Sequence, residues 1–202
     1  MKSCACAQLP FILASASPRR KDLLDEAGYV FEIHAPNVDE AHDESASLQD
    51  LTMENAAAKA RFIAEQFPER LIIAADTLVC IGGRALTKPA DLEEARDMID
   101  SLAGRTHEVC TSVVLLCSAG EIERRFDAVT RVTFRPLTPA ERDEYLTLIN
   151  PLDKAGGYAA QEHGDRIIAA VDGSWTNVVG LPMEALATEL GTLGVRPNHN
   201  KT

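Results

Sequence analysis

Residues 11–34 constrain the fold before any other part of the chain does. Phe11 to Ala14 is an apolar stretch suited to a buried strand, and it passes through Ser15, Ala16 and Ser17 into a helix opened by Pro18. That helix runs to Ala27 and stops at Gly28, and Tyr29 to His34 reads as a second strand. A strand, a helix and a strand in so few residues is the βαβ-like opening of an α/β sheet. The turn between strand and helix also has chemistry in it. Ser17 suits an N-cap and Pro18 the first helical position, so free N–H groups face the turn beside Ser15, Arg19 and Arg20. Such a helix start, with hydroxyls and guanidinium forks around it, can receive phosphate oxygens. A surface helix start with two solvated arginines fits the same segment taken by itself.

Further along, an acidic loop, NVDEAHDES, precedes Ser47, which caps a long Ala-rich helix that must stop before Pro68. Leu71 to Ala75 is continuously apolar, as a strand covered on both faces requires, and it is expected to present Asp76 and Thr77 at its C-terminal end. Gly82 and Gly83 form a hairpin turn, and Asp91 with Glu94 makes a capping box for a helix closing at Gly104. Two β-branched stretches between Thr106 and Arg135 read as an antiparallel hairpin turning near residues 118–120, suited to the sheet of a second lobe. Thr138, Pro139 and Glu141 start another capped helix. The loop around DKAGGYAAQ, a strand over 166–171, a DGS turn, a strand over 175–179 and a closing helix from Leu181 complete the reading.

The chain carries a formal charge of −11, which argues against wrapping long nucleic acid, because that binding depends on a basic surface. In so acidic a chain, a local gathering of Arg and Lys is informative, since the overall field otherwise repels phosphate. No apolar run is long enough to span a membrane, and residues 1–8 do not resemble a secretion signal. We read 1–8 as a flexible N-terminal extension, 9–195 as a single domain of two lobes and 196–202 as a flexible tail. The five cysteines form no zinc-type pattern, and reduced thiols in a cytoplasmic protein fit them.

Several side chains can bear chemistry. Asp76 at a core rim can act as a base or bind a metal, or it can be a plain turn residue. Mg²⁺ takes one or two carboxylates while bridging phosphates, and the pair Asp39 and Glu40 can supply further oxygens. Lys59 and Lys88 can offer ammonium charges to a triphosphate, although lysines mostly solvate a surface. The amide of Gln161 has a donor and an acceptor, matching the imide edge of uracil or thymine, and a solvated Gln is its bland alternative. Asp153, Lys154 and Ser174 also draw attention, but Ser174 lacks a GxSxG elbow and a well-placed histidine, which excludes serine hydrolysis. Trp175 can stack on a base or simply pack.

Eight motifs in order carry a resemblance: LASASPRR at 13–20, VDE at 38–40, ENAAAKA at 54–60, AADT at 74–77, TKP at 87–89, LAGRTHEV at 102–109, LDKAGGYAAQ at 152–161 and DGSWTNVVGLP at 172–182. Together they cover nearly the whole chain, which resembles the Maf family of septum-formation-inhibitor-like nucleoside triphosphate pyrophosphatases. The resemblance implies an α/β fold of Maf/ITPase-like kind, a two-lobed mixed sheet flanked by helices with a central cleft, assembled as a homodimer. It implies hydrolysis of dTTP and UTP, with modified pyrimidine nucleotides also in range, to the monophosphate and pyrophosphate with Mg²⁺ or Mn²⁺. Asp76 then matches the general base and a metal ligand, with Glu40 a second acid in the cleft. Ser15, Arg19, Arg20, Lys59, Thr77, Lys88 and Gln161 match substrate-contacting positions, with Arg19, Thr77 and Gln161 resembling the dTTP/UTP branch. Two positions depart from the family pattern of glycine: Ala74, and Glu162, which sets an acid beside Gln161.

Two other functions compete. A nucleotide-binding regulator of septum formation and cell division would bind with little or no hydrolysis. An aspartyl-phosphate phosphatase would use Asp76 as nucleophile, but Leu78 stands where its second Asp belongs.

Overall fold

A computed structural model describes residues 9–41 and 46–198; the N-terminal extension at 1–8, part of the acidic loop and the last four residues of the tail lie outside it. Its elements in chain order are β1 (Phe11–Leu13), α1 (Pro18–Glu26), β2 (Phe31–Ile33), α2 (Leu48–Ala64), β3 (Ile72–Ile81), β4 (Arg84–Leu86) and α3 (Leu92–Leu102), followed by β5 (Thr106–Cys117), β6 (Ile122–Phe134), α4 (Pro139–Leu148), β7 (Ile168–Asp172), α5 (Trp175–Val179) and α6 (Met183–Thr192). The seven strands form one mixed sheet ordered β2-β1-β3-β5-β6-β7, with β4 added to β3. β2, β1 and β3 run parallel, as a βαβ opening demands, and the remaining pairs are antiparallel.

The 106–135 hairpin does not make a second sheet. β5 pairs with β3 from Ile72↔Leu116 to Cys80↔Glu108, so a single sheet crosses both halves of the molecule. The core divides around it. Leu13, Ile73, Ala75 and Val113 pack with α1 and α6 on one face. Ile12, Ile72 and Ala74 pack against the alanines of α2 on the other, where small side chains let the helix lie close. A further cluster around Val79, Ile99, Val109, Phe134 and Tyr145 fills the far end.

β3 differs most from its expectation. It continues through Asp76 and Thr77 to Ile81, so these residues lie in mid-strand. Their polarity mimics a strand end, but antiparallel pairing with β5 carries the ladder past them. The strand's other edge explains why polar residues are tolerated there. β5 occupies one edge, so β1 and β4 must share the other; the pairing of β1 reaches only Ile73, and that of β4 covers Val79 to Ile81. Between them the edge of β3 has no strand partner, and the chain leaving β1 turns away through Ser15 into α1.

The segment 175–179 is also corrected: it is the helix α5, although β-branched residues suggest a strand. The Ser174 side chain accepts a hydrogen bond from Asn177 N at 3.2 Å, and Gly180, at φ 125°, ends the turn. Asn177 fixes it in place by donating to Val109 O and Thr130 Oγ1 at 3.0 and 2.9 Å. Tertiary hydrogen bonds here override local propensity. The caps vary as well. The Thr138–Glu141 capping box forms as expected, whereas Glu94 reaches back to Ala90 N at 2.7 Å instead of to its own N-cap, Asp91.

Candidate active site

The unpaired stretch of β3 is the floor of a cavity of about 430 Å³, and the nine side chains that the resemblance matched to site positions all lie on its walls. Asp39 is not among the lining residues, and Trp175 stands 44 % exposed away from it.

Strand alternation sends Asp76 and Thr77 to opposite faces of the sheet. Asp76, on the α2 face and 5 % exposed, accepts from Lys59 Nζ at 2.6 Å through Oδ1 and from Asn55 Nδ2 at 3.3 Å through Oδ2. Lys59 also donates to Glu40 Oε1 at 2.6 Å, so one buried ammonium joins two carboxylates. Burial pushes the Glu40 carboxyl up, but the hydrogen bond and charge of Lys59, with Lys88 and Arg20 beyond, bring it net below the usual value.

Thr77, on the α1 face, meets Arg20. The buried guanidinium donates to Gly180 O at 2.8 Å, Ser15 Oγ at 3.2 Å and Thr77 Oγ1 at 3.0 Å. Burial pulls Arg20 below its usual value, with the Asp76 charge opposing the shift. Three of its five N–H groups are thus engaged, which locks the plane and leaves two for a ligand. Gly180 serves this contact through its backbone: at φ 125° a side chain would be strained, although a Cβ would meet Arg20 and Thr77 only at ordinary contact distances of 3.7 and 3.6 Å.

Ser17 occupies the N-cap position of α1, but its hydroxyl makes no capping bond; its own N–H donates to Ser15 Oγ at 3.1 Å. Ser15 is therefore a brace that accepts twice, with its hydroxyl proton still to give. The first N–H groups of α1 remain free at the cavity, the condition for an anion site at a helix start. Arg19 is half-buried beside them, while Lys88 and Gln161 are exposed on the opposite wall.

Sequence reading missed several contributors. Asn55 pairs its carboxamide with the backbone of Ala41, accepting from N at 2.7 Å and donating to O at 3.4 Å, which fastens the Glu40 loop beside Asp76. The signal was present, because Thr52, Asn55 and Lys59 share one face of α2. Thr111 braces Thr77 at 2.9 Å and donates to Asn177 O at 3.2 Å. Tyr158 lines the far wall, and its hydroxyl is 2.9 Å from Nε2 of buried His107. Lys154, named in the sequence but given no role, is buried in that wall too.

Among the described residues no cluster of three His, Cys, Asp or Glu side chains could hold a metal alone. Asp76 and Glu40 offer hard oxygens, and Lys59 engages only one oxygen of each. Such a donor set suits Mg²⁺ or Mn²⁺, which complete their shells with water and phosphate, and does not suit zinc.

Residues 10–193 match the family model described as Maf-like protein. The chain belongs to the Maf family. A relative named dTTP/UTP pyrophosphatase from Akkermansia muciniphila is 44 % identical over 93 % of this chain and 98 % of its own. Relatives of the same name from Myxococcus xanthus and Bacillus cytotoxicus are 43 % and 42 % identical, over 87 % and 89 % of this chain and 88 % and 93 % of theirs. The Staphylococcus aureus Ham1 protein structure aligns over 92 % of this Maf chain and 98 % of its own with a TM-score of 0.48 and 12 % identity, too loose a likeness to carry an argument. Among the described residues of this Maf chain no helix is long and apolar enough to cross a membrane.

Proposed function

We propose that this chain hydrolyses dTTP and UTP to the monophosphate and pyrophosphate, with Asp76 directing the attacking water and residues 9–195 acting as one two-lobed unit. The observation that carries the reading is the buried Asp76–Lys59 pair at 2.6 Å, set in a cavity that also receives the start of α1 and both arginines. The names of the relatives, which match over nearly their full lengths, support the same substrates.

In this reading the triphosphate lies along the α1 side. The free N–H groups of α1, Arg19 and the two spare N–H groups of Arg20 bind its oxygens, and Lys88 closes from the opposite wall. Asp76, oriented by Lys59 and Asn55, accepts a hydrogen bond from a water and takes its proton as the oxygen attacks the α-phosphorus. The bond from the α-phosphorus to the bridging oxygen breaks, and pyrophosphate departs against the cations, which stabilise its growing charge. Gln161 pairs with the imide edge of the base, within reach of modified pyrimidines. A divalent cation held by Asp76 and Glu40, Mg²⁺ or Mn²⁺, would neutralise phosphate charge.

The test is a product-resolved assay of the purified protein with dTTP, UTP and each metal. Monophosphate and pyrophosphate in equal amounts are expected. Binding without product supports a regulator instead, and orthophosphate as first product supports an aspartyl-phosphate route.

A further inference from the structure

We infer that Lys154 and Glu162 form a clasp that positions Gln161 and so tunes the base preference of the cavity. The inference rests on the reading of Gln161 as the base-facing residue.

Lys154 is a lysine in the cavity wall with only 4 % of its surface exposed, yet it does not offer its charge to the cavity. Its Nζ lies 2.9 Å from Asn150 O, 2.8 Å from Asp153 Oδ1 and 3.5 Å from Glu162 Oε1. An ammonium has three N–H donors, and three oxygens surround this one. They come from both ends of the segment 150–162, so a single side chain closes the loop on itself.

The middle of that segment is held by other means. Gly156 N donates to Thr87 O at 3.0 Å, where φ 72° and a Val79 methyl 3.2 Å from any added Cβ require glycine. Ala159 exchanges hydrogen bonds with the Tyr145 hydroxyl, N–H to Oη at 2.9 Å and Oη to O at 3.0 Å. Beyond Ala159 the chain rises to exposed Gln161 and Glu162 and turns at His163, which is left-handed at φ 56°. Among the described residues the Gln161 side chain has no hydrogen-bond partner, so its direction follows from how its backbone is held. Glu162 reaches back to Lys154 and restrains the peptide that joins it to Gln161. The acid that stands beside the base-reading amide is thereby turned toward a cation and away from an incoming polyphosphate.

Glu162 is half-exposed and the separation is 3.5 Å, so the clasp is an adjustable one and its expected influence is about two- to fivefold. The experiment measures kcat and KM for UTP and CTP with wild type, Glu162→Gln, Glu162→Lys and Gln161→Ala, each checked for an unchanged melting temperature. Comparing two nucleotides cancels any general effect of charge on triphosphate binding. In Glu162→Gln the preference for UTP falls about two- to fivefold through KM, with kcat little changed, and it falls further in Glu162→Lys. Wild type in about 1 M NaCl, where the screening length is about 3 Å, moves toward the Glu162→Gln value, while the variant itself does not respond. If Gln161→Ala loses the preference but Glu162→Gln keeps it, the clasp is wrong and the reading of Gln161 stands. If Gln161→Ala keeps the preference, both are overturned.

Discussion

The two walls of the cavity are built by opposite means. On the β3 side, Asp76, Lys59 and Arg20 are buried and held in place by side-chain hydrogen bonds to α2, to Ser15 and Thr77, and to Gly180. On the loop side, Lys88 and Gln161 are exposed, and what is fixed is the backbone beneath them, through Tyr145, Thr87, Lys154 and Tyr158. The difference matches the tasks proposed for them. Charge that develops at a reacting phosphorus is best met by dipoles that need no reorganisation, whereas a base only has to be accepted or refused. Rate and selectivity should therefore be separable by mutation.

The strongest attempt to break this division is Asp76→Asn, for which turnover falls about 10²- to 10⁴-fold while nucleotide binding by calorimetry stays near wild type. Equal losses in both would mean that Asp76 serves binding and not chemistry. Lys59→Met comes next. It removes the cation between two acids and leaves Asp76 charged and poorly compensated, so kcat falls about 10²-fold for every nucleotide alike, with a stability loss of about 3 kcal/mol in denaturant titrations.

The loop wall responds to acid through His107. Burial pushes this imidazole down to about 4, so the unfolded chain takes up a proton near 6.5 that the folded one refuses. His107's share of the stability is complete above that pH and declines as pH falls toward 4, on the order of 3 kcal/mol, and this share is absent from His107→Phe. Thermal melts across this window check it. A smaller effect is expected of Gln161→Glu, which lowers kcat/KM for dTTP and UTP about tenfold relative to other nucleotides without changing their common rate. Unaltered ratios would place base selection elsewhere on the loop wall.

The β3 wall was the more legible of the two in sequence. Asp76 after five apolar residues, Lys59 among alanines and two arginines after Pro18 are all charges placed against a core, and such placements have few explanations. What escaped was whatever depends on distant partners. Thr111 looks like an ordinary strand residue until Thr77, 34 positions away, is found 2.9 Å from it. Trp175 to Val179 carries strand-forming side chains, and the contacts of Asn177 with β5 and β6, together with the Ser174 cap, make it helical. The length of β3 was obscured for a related reason: a ladder to β5 can carry polar residues that local hydrophobicity treats as an end.

The interrupted edge of β3 limits how such a chain can vary. Were β1 to continue past Leu13 and β4 past Leu86, the missing rungs of the ladder would be supplied and the sheet would heal across the floor of the cavity. On the proposed function, the shortness of these two strands becomes a trait that selection on catalysis can act on, through hydrogen bonds a stretch of backbone must not make.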